Sequence, residues 1–200
     1  MNGGYFIEAL VFLIRTVFEL YLLAVALRFL FQIVRVDFYN PLAQFLVKIT
    51  SPALKPIRRF VRGYKGIDWS SVILMIILKS VQISVIAVLV SGRFPVITGL
   101  LVISIAEILK LIIYIFMVSV FIQVILSWVS PGTYNPITLI LYQLTEPIMR
   151  PARRVIQPVG GLDLSPLLVI IVLQLMIILI VNPIWNTGYV MAGLRVFSIT

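Results

Sequence analysis

The sequence contains no cysteine and no histidine among its 200 residues. Disulfide bonds are therefore excluded, and so are the thiolate and imidazole ligands of ordinary zinc, copper and haem sites. Catalytic triads that depend on cysteine or histidine are excluded for the same reason. Only seven residues carry a carboxylate side chain, which leaves few groups for acid–base catalysis. We therefore expect no cofactor, no metal and no enzymatic activity.

Charge is also scarce in this chain. Charged residues make up 12% of the sequence and hydrophobic residues 62%, whereas a soluble domain has about 25% charged and 45–50% apolar residues. The mean hydropathy is +1.15. Because so few charges cannot cover a water-facing surface of this size, the composition predicts an integral membrane protein.

Four apolar runs are long enough to cross a bilayer, which takes about 20 residues of helix. They span residues 5–34, 69–90, 95–129 and 164–183, and they predict an all-α membrane protein with four transmembrane helices. The first run has no basic leader and no cleavage signal, so we expect it to remain as a membrane helix. Residues 95–105 fit either an interfacial piece or the start of the third membrane helix.

The polar side chains that interrupt these runs include Arg15, Glu19, Arg28, Lys79, Glu107, Lys110 and Gln174. The spacing predicts two pairs within single helices, Arg15 with Glu19 and Glu107 with Lys110. Lys79 and Gln174 are expected to donate hydrogen bonds between helices. Such residues either fix helix packing or line an ion path, and a path through so few helices would require a homo-oligomer.

The basic residues concentrate in two of the connections. Residues 35–68 hold seven Lys or Arg and residues 130–163 hold three, whereas the turn at 91–94 holds one and the first 14 residues none. In a soluble protein, a net charge of +9 could indicate that the protein binds nucleic acid. Here the distribution is that of cytoplasmic loops, and it predicts both basic connections in the cytoplasm, both termini outside and no nucleic-acid partner.

Each basic connection has the pattern of an amphipathic helical hairpin at the membrane interface. Asn40 and Pro41 suit a helix N-terminus, and an apolar stripe follows at helical spacing. Pro52 is expected to end this first helix, and a second short helix is expected to begin at Pro56. The second connection has the same features: Asn135, Pro136, Pro147 and Pro151.

The cations after the first proline fall on one helical face. They are Lys55, Arg58, Arg59 and Arg62 in the first connection, and Arg150, Arg153 and Arg154 in the second. One interpretation is topological: the cations hold the loops inside and contact anionic phospholipid headgroups. The other is a docking site for an acidic partner. The fixed proline spacing indicates that shape matters as well as charge.

The two connections are copies of one unit. A shift of 95 residues aligns 39–82 with 134–177 without a gap, and 14 of the 44 positions are identical. The unit is therefore helix, basic hairpin, helix, used twice in one orientation over residues 1–94 and 95–200. Asp68 and Asp163, each after Gly66 or Gly161, precede membrane helices, so capping explains them better than acid–base chemistry.

These motifs resemble the YggT family, which is related to bacterial YlmG and plastid homologues. The resemblance rests on Tyr-Asn-Pro, on two prolines four apart followed by Arg-Arg, and on Gly-x-Asp-x-Ser, each present twice. The second copy departs from the first at Gln157, opposite Arg62, and at Gly160, opposite Lys65. The chain looks like the double-repeat form of the family.

The resemblance implies a bacterial inner-membrane protein without enzymatic activity. It implies a connection with osmotic and potassium tolerance, envelope or division organisation, or assembly of membrane complexes. Two hypotheses follow. The first is an accessory or scaffold protein that uses its basic hairpins, with membrane or division proteins and anionic lipid as partners. The second is a small ion or solute channel or transporter component that uses its intramembrane charges.

Overall fold

The structure, a computed structural model, describes residues 3–36, 39–61, 63–64, 66–129, 136–156 and 163–194. Every named element in this part of the chain is helical. In chain order they are α1 (Gly3–Ile33), α2 (Pro41–Phe60), α3 (Trp69–Ser91), α4 (Ile97–Val129), α5 (Pro136–Val155), α6 (Ser165–Met176), a π turn (Ile177–Val181) and α7 (Asn182–Met191).

Four helices in the described residues are long and apolar enough to cross a membrane. They are α1, α3, α4 and the continuous helix Ser165–Met191, which comprises α6, the π turn and α7. The prediction of an all-α protein with four spanning helices is confirmed. Because α4 begins at Ile97 and continues to Val129, residues 97–105 belong to the third membrane helix.

The two repeats have the same arrangement. In the first, α2 packs against both α1 and α3, and in the second, α5 packs against both α4 and α6. The repeats meet where α3 packs against α4. The spanning helices α1, α3 and α4 follow one another in the chain, so α1 and α4 run in the same direction. Because α2 follows the end of α1 and α5 follows the end of α4, both short helices lie at the same end of the bundle. The repeats therefore run in parallel, as predicted.

The prediction of a hairpin broken at the prolines is wrong. Pro52 and Pro56 lie inside the single helix α2, and Pro147 and Pro151 lie inside α5. A proline lacks the N–H that would bond the carbonyl four residues earlier. Lys48, Pro52 and Pro56 are all on the exposed side of α2. The carbonyls that lose their helical donors therefore face outward, where other donors are available, and the helix continues.

The fourth span also extends further than predicted. The apolar run indicated an end near Pro183, but the helix continues through this residue to Met191. A five-residue π turn, Ile177–Val181, lies directly before it. A π turn offsets the hydrogen-bond ladder by one residue, and this offset accommodates a proline inside the helix.

Two glycines allow α4 and α7 to touch at the end opposite α2 and α5. A β-carbon on Gly99 would lie 2.0 Å from the backbone nitrogen of Ala192, and one on Gly188 would lie 2.9 Å from that of Ile103. The approach is close enough for the Val96 N–H to donate to the Ala192 carbonyl at 3.1 Å. The hydrophobic effect does not drive helices together in lipid. Small residues at a helix contact instead allow close van der Waals packing, which stabilises the association.

Candidate functional site

The candidate site is the pair of basic helices, α2 and α5. The buried face of α2 consists of Ala43, Leu46, Thr50 and Leu54. Its three apolar members pack in a cluster with residues of α1 and α3. Asn40 caps the helix by accepting a hydrogen bond from the Leu42 N–H at 3.0 Å, and Pro41 is the first helical residue. The cations of the C-terminal half lie outside this buried face.

Arg58 forms an ion pair with Asp68, at the start of α3. The atoms Nη2 and Oδ2 are 2.5 Å apart, with 44% of the arginine side chain exposed and 5% of the aspartate. Ser71 donates a second hydrogen bond to Oδ2 at 2.9 Å. Burial raises the pKa of Asp68, but the hydrogen bonds and the positive charge of Arg58 outweigh it, so the pKa lies below its usual value.

The second repeat has the equivalent pair, Arg153 with Asp163. The distance from Nε to Oδ2 is 3.3 Å, and Arg153 also contacts Glu146 at 3.0 Å. Burial lowers the pKa of Arg153, and the two carboxylates outweigh it, so this pKa is raised. Burial likewise raises the pKa of Asp163, but hydrogen bonds from Ser165 and Arg153 outweigh it, and the pKa is lowered.

These two ion pairs were not part of the sequence prediction, which assigned both aspartates to helix capping. Asp163 does accept a hydrogen bond from the Ser165 N–H at 2.9 Å, whereas the Asp68 side chain makes no cap hydrogen bond to the start of α3. The signal was available: an arginine and an aspartate of opposite charge recur ten residues apart in both copies.

The other cations of the predicted patch that the structure describes are exposed. Four of them have no ion-pair partner among the described residues: Lys55, Arg59, Arg150 and Arg154. Exposed apolar side chains flank them, with Phe60 89% exposed at the end of α2 and its counterpart Val155 76% exposed at the end of α5. Arg62 lies outside the described residues, as do Asn135 and Gly161. Gly66 has a φ of +81° in the turn before Asp68, which favours glycine.

A further pair of repeated contacts joins α2 and α5 to the membrane helices. Nη1 of Arg28, in α1, donates to Thr50 Oγ1 at 2.7 Å. At the equivalent position in α4, Gln123 Oε1 accepts from Thr145 Oγ1 at 2.6 Å. From the sequence, Arg28 is only an interruption in the first apolar run, and no role was predicted for either threonine. Their shared offset of 95 residues was the available signal.

Within the bundle, Lys79 joins three helices. Its Nζ lies 2.5 Å from Glu19 Oε1 in α1 and 3.5 Å from Glu107 Oε2 in α4. Gln82 donates to the same Glu19 oxygen at 3.3 Å, and Trp185 of α7 donates to Glu107 at 2.7 Å. These contacts place a polar cluster between helices that are otherwise apolar.

The predicted pairs Arg15–Glu19 and Glu107–Lys110 are wrong, because Lys79 takes both carboxylates. Lys79 is 6% exposed, and a buried cation loses far more free energy without a partner than an exposed one. Arg15 is exposed, and Lys110 lies 6.0 Å from the centre of the Tyr114 ring. Gln174 is exposed on α6, so the prediction that it bonds between helices is also wrong.

The charged residues of this arrangement fall into two groups: those that attach helices to one another and those that are free to bind a partner. The carboxylates of Asp68, Asp163, Glu19 and Glu107 each accept a hydrogen bond or an ion pair from a neighbouring helix. They fix helices to one another. The exposed cations on α2 and α5 are the groups available to an anionic ligand or an acidic surface.

Comparison with known proteins gives the same division of the chain. The family model described as CCB3/YggT matches residues 7–89 and again 102–184, so the two matched segments begin 95 residues apart. An uncharacterized protein of Pseudomonas aeruginosa is 42% identical over 175 residues, which cover 87% of this chain and 89% of that protein. A Vibrio alginolyticus protein described as lying in the proC 3' region is 39% identical, over 87% of this chain and 96% of its own length.

A protein named YggT from Escherichia coli K12 is 38% identical over 170 residues, which cover 83% of this chain and 86% of that protein. No solved structure matches this chain. The relatives span nearly the full chain and include both repeats. Two copies of the family model and this level of identity show that the chain belongs to the CCB3/YggT family.

Proposed function

We propose that this protein is a non-enzymatic scaffold of the bacterial inner membrane that presents two basic helices to an acidic protein partner on the cytoplasmic face. Its role would be in envelope organisation, membrane-complex assembly or osmotic tolerance, which are the roles that the family resemblance implies. Four helices long enough to span a membrane and membership of the CCB3/YggT family support this role, and α2 and α5 would supply the docking surface.

One observation carries the proposal. In both repeats, the first arginine of the Arg-Arg pair is bonded to an aspartate next to the following membrane helix. Its neighbours Arg59 and Arg154 remain exposed. The ion pair fixes the rotation of each basic helix relative to the bundle, so the exposed cations are held in a defined direction. Headgroup attraction alone needs positive charge but no fixed direction.

The membrane charges support packing more than conduction. Lys79 contacts both Glu19 and Glu107, and Trp185 bonds Glu107 as well. A conducting path would require these charges to face water rather than each other. We expect liposomes that contain the purified protein to remain sealed to potassium. A potassium flux that changes in an Arg15→Gln or Lys110→Gln variant would support the channel hypothesis instead.

Charge reversal at exposed cations tests the scaffold proposal. Lys55→Glu/Arg59→Glu leaves the Arg58–Asp68 pair in place, and Arg93→Glu reverses an exposed cation in the α3–α4 turn as a control. The tagged full chain is recovered from native membranes after cross-linking. We expect specific membrane proteins to be lost from the double variant and kept by the control. An identical set of cross-linked proteins in both variants, at equal membrane levels, contradicts the proposal.

The proposed orientation has its own test. The distribution of Lys and Arg supports cytoplasmic connections at α2 and α5 and both termini outside. A reporter that is active only outside the inner membrane is fused after Thr200, and a second copy is placed in the connection after Tyr64. We expect activity from the first fusion and none from the second. The reverse pattern contradicts the orientation.

A further inference from the structure

A cationic cleft lies between α1 and α2, at the end of the bundle where these helices meet. It has a volume of about 640 Å³ and is lined by Arg28 and Gln32 of α1 and by Gln44, Val47, Lys48 and Arg58 of α2. Three of the six lining residues are cations and two are amides. The lining includes no carboxylate among the described residues. Such a cleft attracts an anion that accepts several hydrogen bonds.

Arg28 is held rigidly at the base of this cleft. The residue is 6% exposed, and its Nη1 donates to the Val47 carbonyl at 3.3 Å, to Thr50 at 2.7 Å and to Ser51 at 3.1 Å. Its Nε and Nη2 make no hydrogen bond to any described residue. The guanidinium is thus oriented by one nitrogen and has donors left over. A pre-oriented guanidinium suits the paired oxygens of a phosphate group.

The charge of the cleft is only partly compensated. Asp68 is bonded to Arg58, while Lys48 is exposed on α2 and has no ion-pair partner in the described part of the chain. Arg28 is bonded to neutral oxygens only. Counted over the described residues, the three cations of the cleft exceed the one neighbouring carboxylate, Asp68, by two positive charges. Such an excess within one cleft favours a bound anion.

The second repeat shows that helix packing does not require these charges. At the offset of 95 residues, Gln123 stands for Arg28 and Gln143 stands for Lys48. The equivalent contact to the threonine is kept, at 2.6 Å. Arg153, the counterpart of Arg58, is paired with two carboxylates. The first repeat thus has an excess of cations at this position and the second repeat does not, although the helices are arranged in the same way. Helix packing therefore does not account for the excess.

We infer that the cleft between α1 and α2 binds the phosphate of one anionic phospholipid, with Arg28 and Lys48 as its ligands. The cleft lies at the end of the spanning helix α1 and against the amphipathic helix α2. A lipid headgroup can occupy this position while its acyl chains remain in the bilayer, which favours a lipid over a free ion. Anionic headgroups concentrate where such interhelical basic pockets occur. This inference does not rest on the proposed scaffold function, which uses Lys55 and Arg59, two cations of α2 that do not line the cleft.

The test is lipid retention by the full chain. The purified protein is titrated in neutral detergent with phosphatidylglycerol, phosphatidylcholine or inorganic phosphate, and bound molecules are counted by native mass spectrometry. Arg28→Gln and Lys48→Gln give these two positions the residues that the second repeat has there, Gln123 and Gln143. Lys55→Gln/Arg59→Gln removes two cations from the same helix outside the cleft and serves as the matched control.

We expect one saturable phosphatidylglycerol per chain, bound about tenfold more weakly or worse in the Arg28→Gln/Lys48→Gln variant and nearly unchanged in the control. Lys48 is exposed, so the single Lys48→Gln variant weakens binding without a folding defect. Unchanged retention in the double variant, or an equal loss in the control, overturns the inference. Binding of inorganic phosphate as tight as that of the lipid overturns the assignment to a phospholipid.

Discussion

Arg58 and Asp68 form an ion pair between α2 and the start of α3 in which the two partners are unequally buried. The aspartate side chain is 5% exposed and the arginine side chain 44%. The buried carboxylate therefore depends on the pair more than the arginine does. The side chain of the equivalent aspartate in the second repeat, Asp163, is 40% exposed. The two ion pairs should therefore contribute different amounts to the free energy of unfolding.

Asp68→Asn should destabilise the protein more than Asp163→Asn. The first substitution removes the charge that Arg58 and Ser71 bond, at a cost of about 1–2 kcal/mol once the exposure of Arg58 is allowed for. The second affects a solvent-screened pair and should cost less than about 1 kcal/mol. Thermal unfolding of the two variants in the same detergent measures the difference. An equal loss of stability would contradict the unequal burial.

Acid should release α2 and α5 from the bundle. The pKa values of Asp68 and Asp163 are lowered in the folded protein. A lowered folded pKa contributes stability above the unfolded value of about 3.9, and this stability is lost as the pH falls below it. We expect the unfolding temperature to hold between neutral pH and about 5 and to drop below about 4.

The Asp68→Asn/Asp163→Asn variant separates this effect from that of the other carboxylates. Its unfolding temperature should start lower at neutral pH and fall less steeply on acidification, because the two titrating groups are gone. Parallel curves for the wild type and the double variant would show that neither aspartate contributes to the acid transition.

Lys79→Met should be the most damaging single substitution in the polar cluster. It leaves Glu19 and Glu107 facing each other without a cation, and removal of one partner from a buried pair costs about 3–5 kcal/mol. Because Glu19 is 39% exposed, we expect a loss near the lower end, about 3 kcal/mol. Equilibrium unfolding in detergent measures it.

Neutralising the carboxylates should restore most of this loss. In Lys79→Met/Glu19→Gln/Glu107→Gln, no charge remains in the cluster, and the amide oxygen introduced by Glu107→Gln can still accept the hydrogen bond from Trp185. Stability should return to within about 1 kcal/mol of the wild type. A triple variant that is as unstable as Lys79→Met would mean that Lys79 acts through packing and not through its charge.

The membrane helices and the repeat were predictable because each produces a pattern that can be recognised in the sequence without knowledge of tertiary contacts. Runs of apolar residues predict the spans, and identical polar positions at one offset predict the repeat. The partners of Glu19 and Glu107 were not predictable in this way. Helices that are apolar on all sides carry no stripe to indicate which side faces which neighbour. The pairing of Glu19 with Lys79, 60 residues away, depends on that rotation.

The helix break at Pro52 was predicted for a sound local reason that the tertiary structure overrides. Proline usually ends a helix because it removes a hydrogen bond. In α2, the affected side is exposed, and Arg28 also donates to Val47, Thr50 and Ser51 in the turn before the proline. The second effect comes from another helix, and so no pattern within 41–60 reveals it.

Arg28→Leu should destabilise the protein more than Arg28→Gln. Glutamine at this position can contact Thr50 as Gln123 contacts Thr145, so we expect a loss below about 1 kcal/mol. Leucine makes no hydrogen bond to Thr50 or Ser51 and should cost about 1–3 kcal/mol. Unfolding temperatures in one detergent compare the two. Equal losses would show that the threonine contact contributes nothing to the attachment of α2.

Gly99→Ala should separate α4 from α7. The new β-carbon would lie 2.0 Å from the Ala192 backbone nitrogen and 2.4 Å from its α-carbon, and backbone atoms cannot rotate away as a side chain would. The helices must therefore move apart, which costs about 1–3 kcal/mol or more and breaks the Val96–Ala192 hydrogen bond. Gly4→Ala is the matched control, because nothing lies within 4 Å of its β-carbon position and alanine favours a helix by up to about 1 kcal/mol. Thermal unfolding in detergent should show a lower transition for Gly99→Ala and an equal or higher one for Gly4→Ala; a Gly99→Ala protein as stable as the wild type would contradict the close seam between α4 and α7.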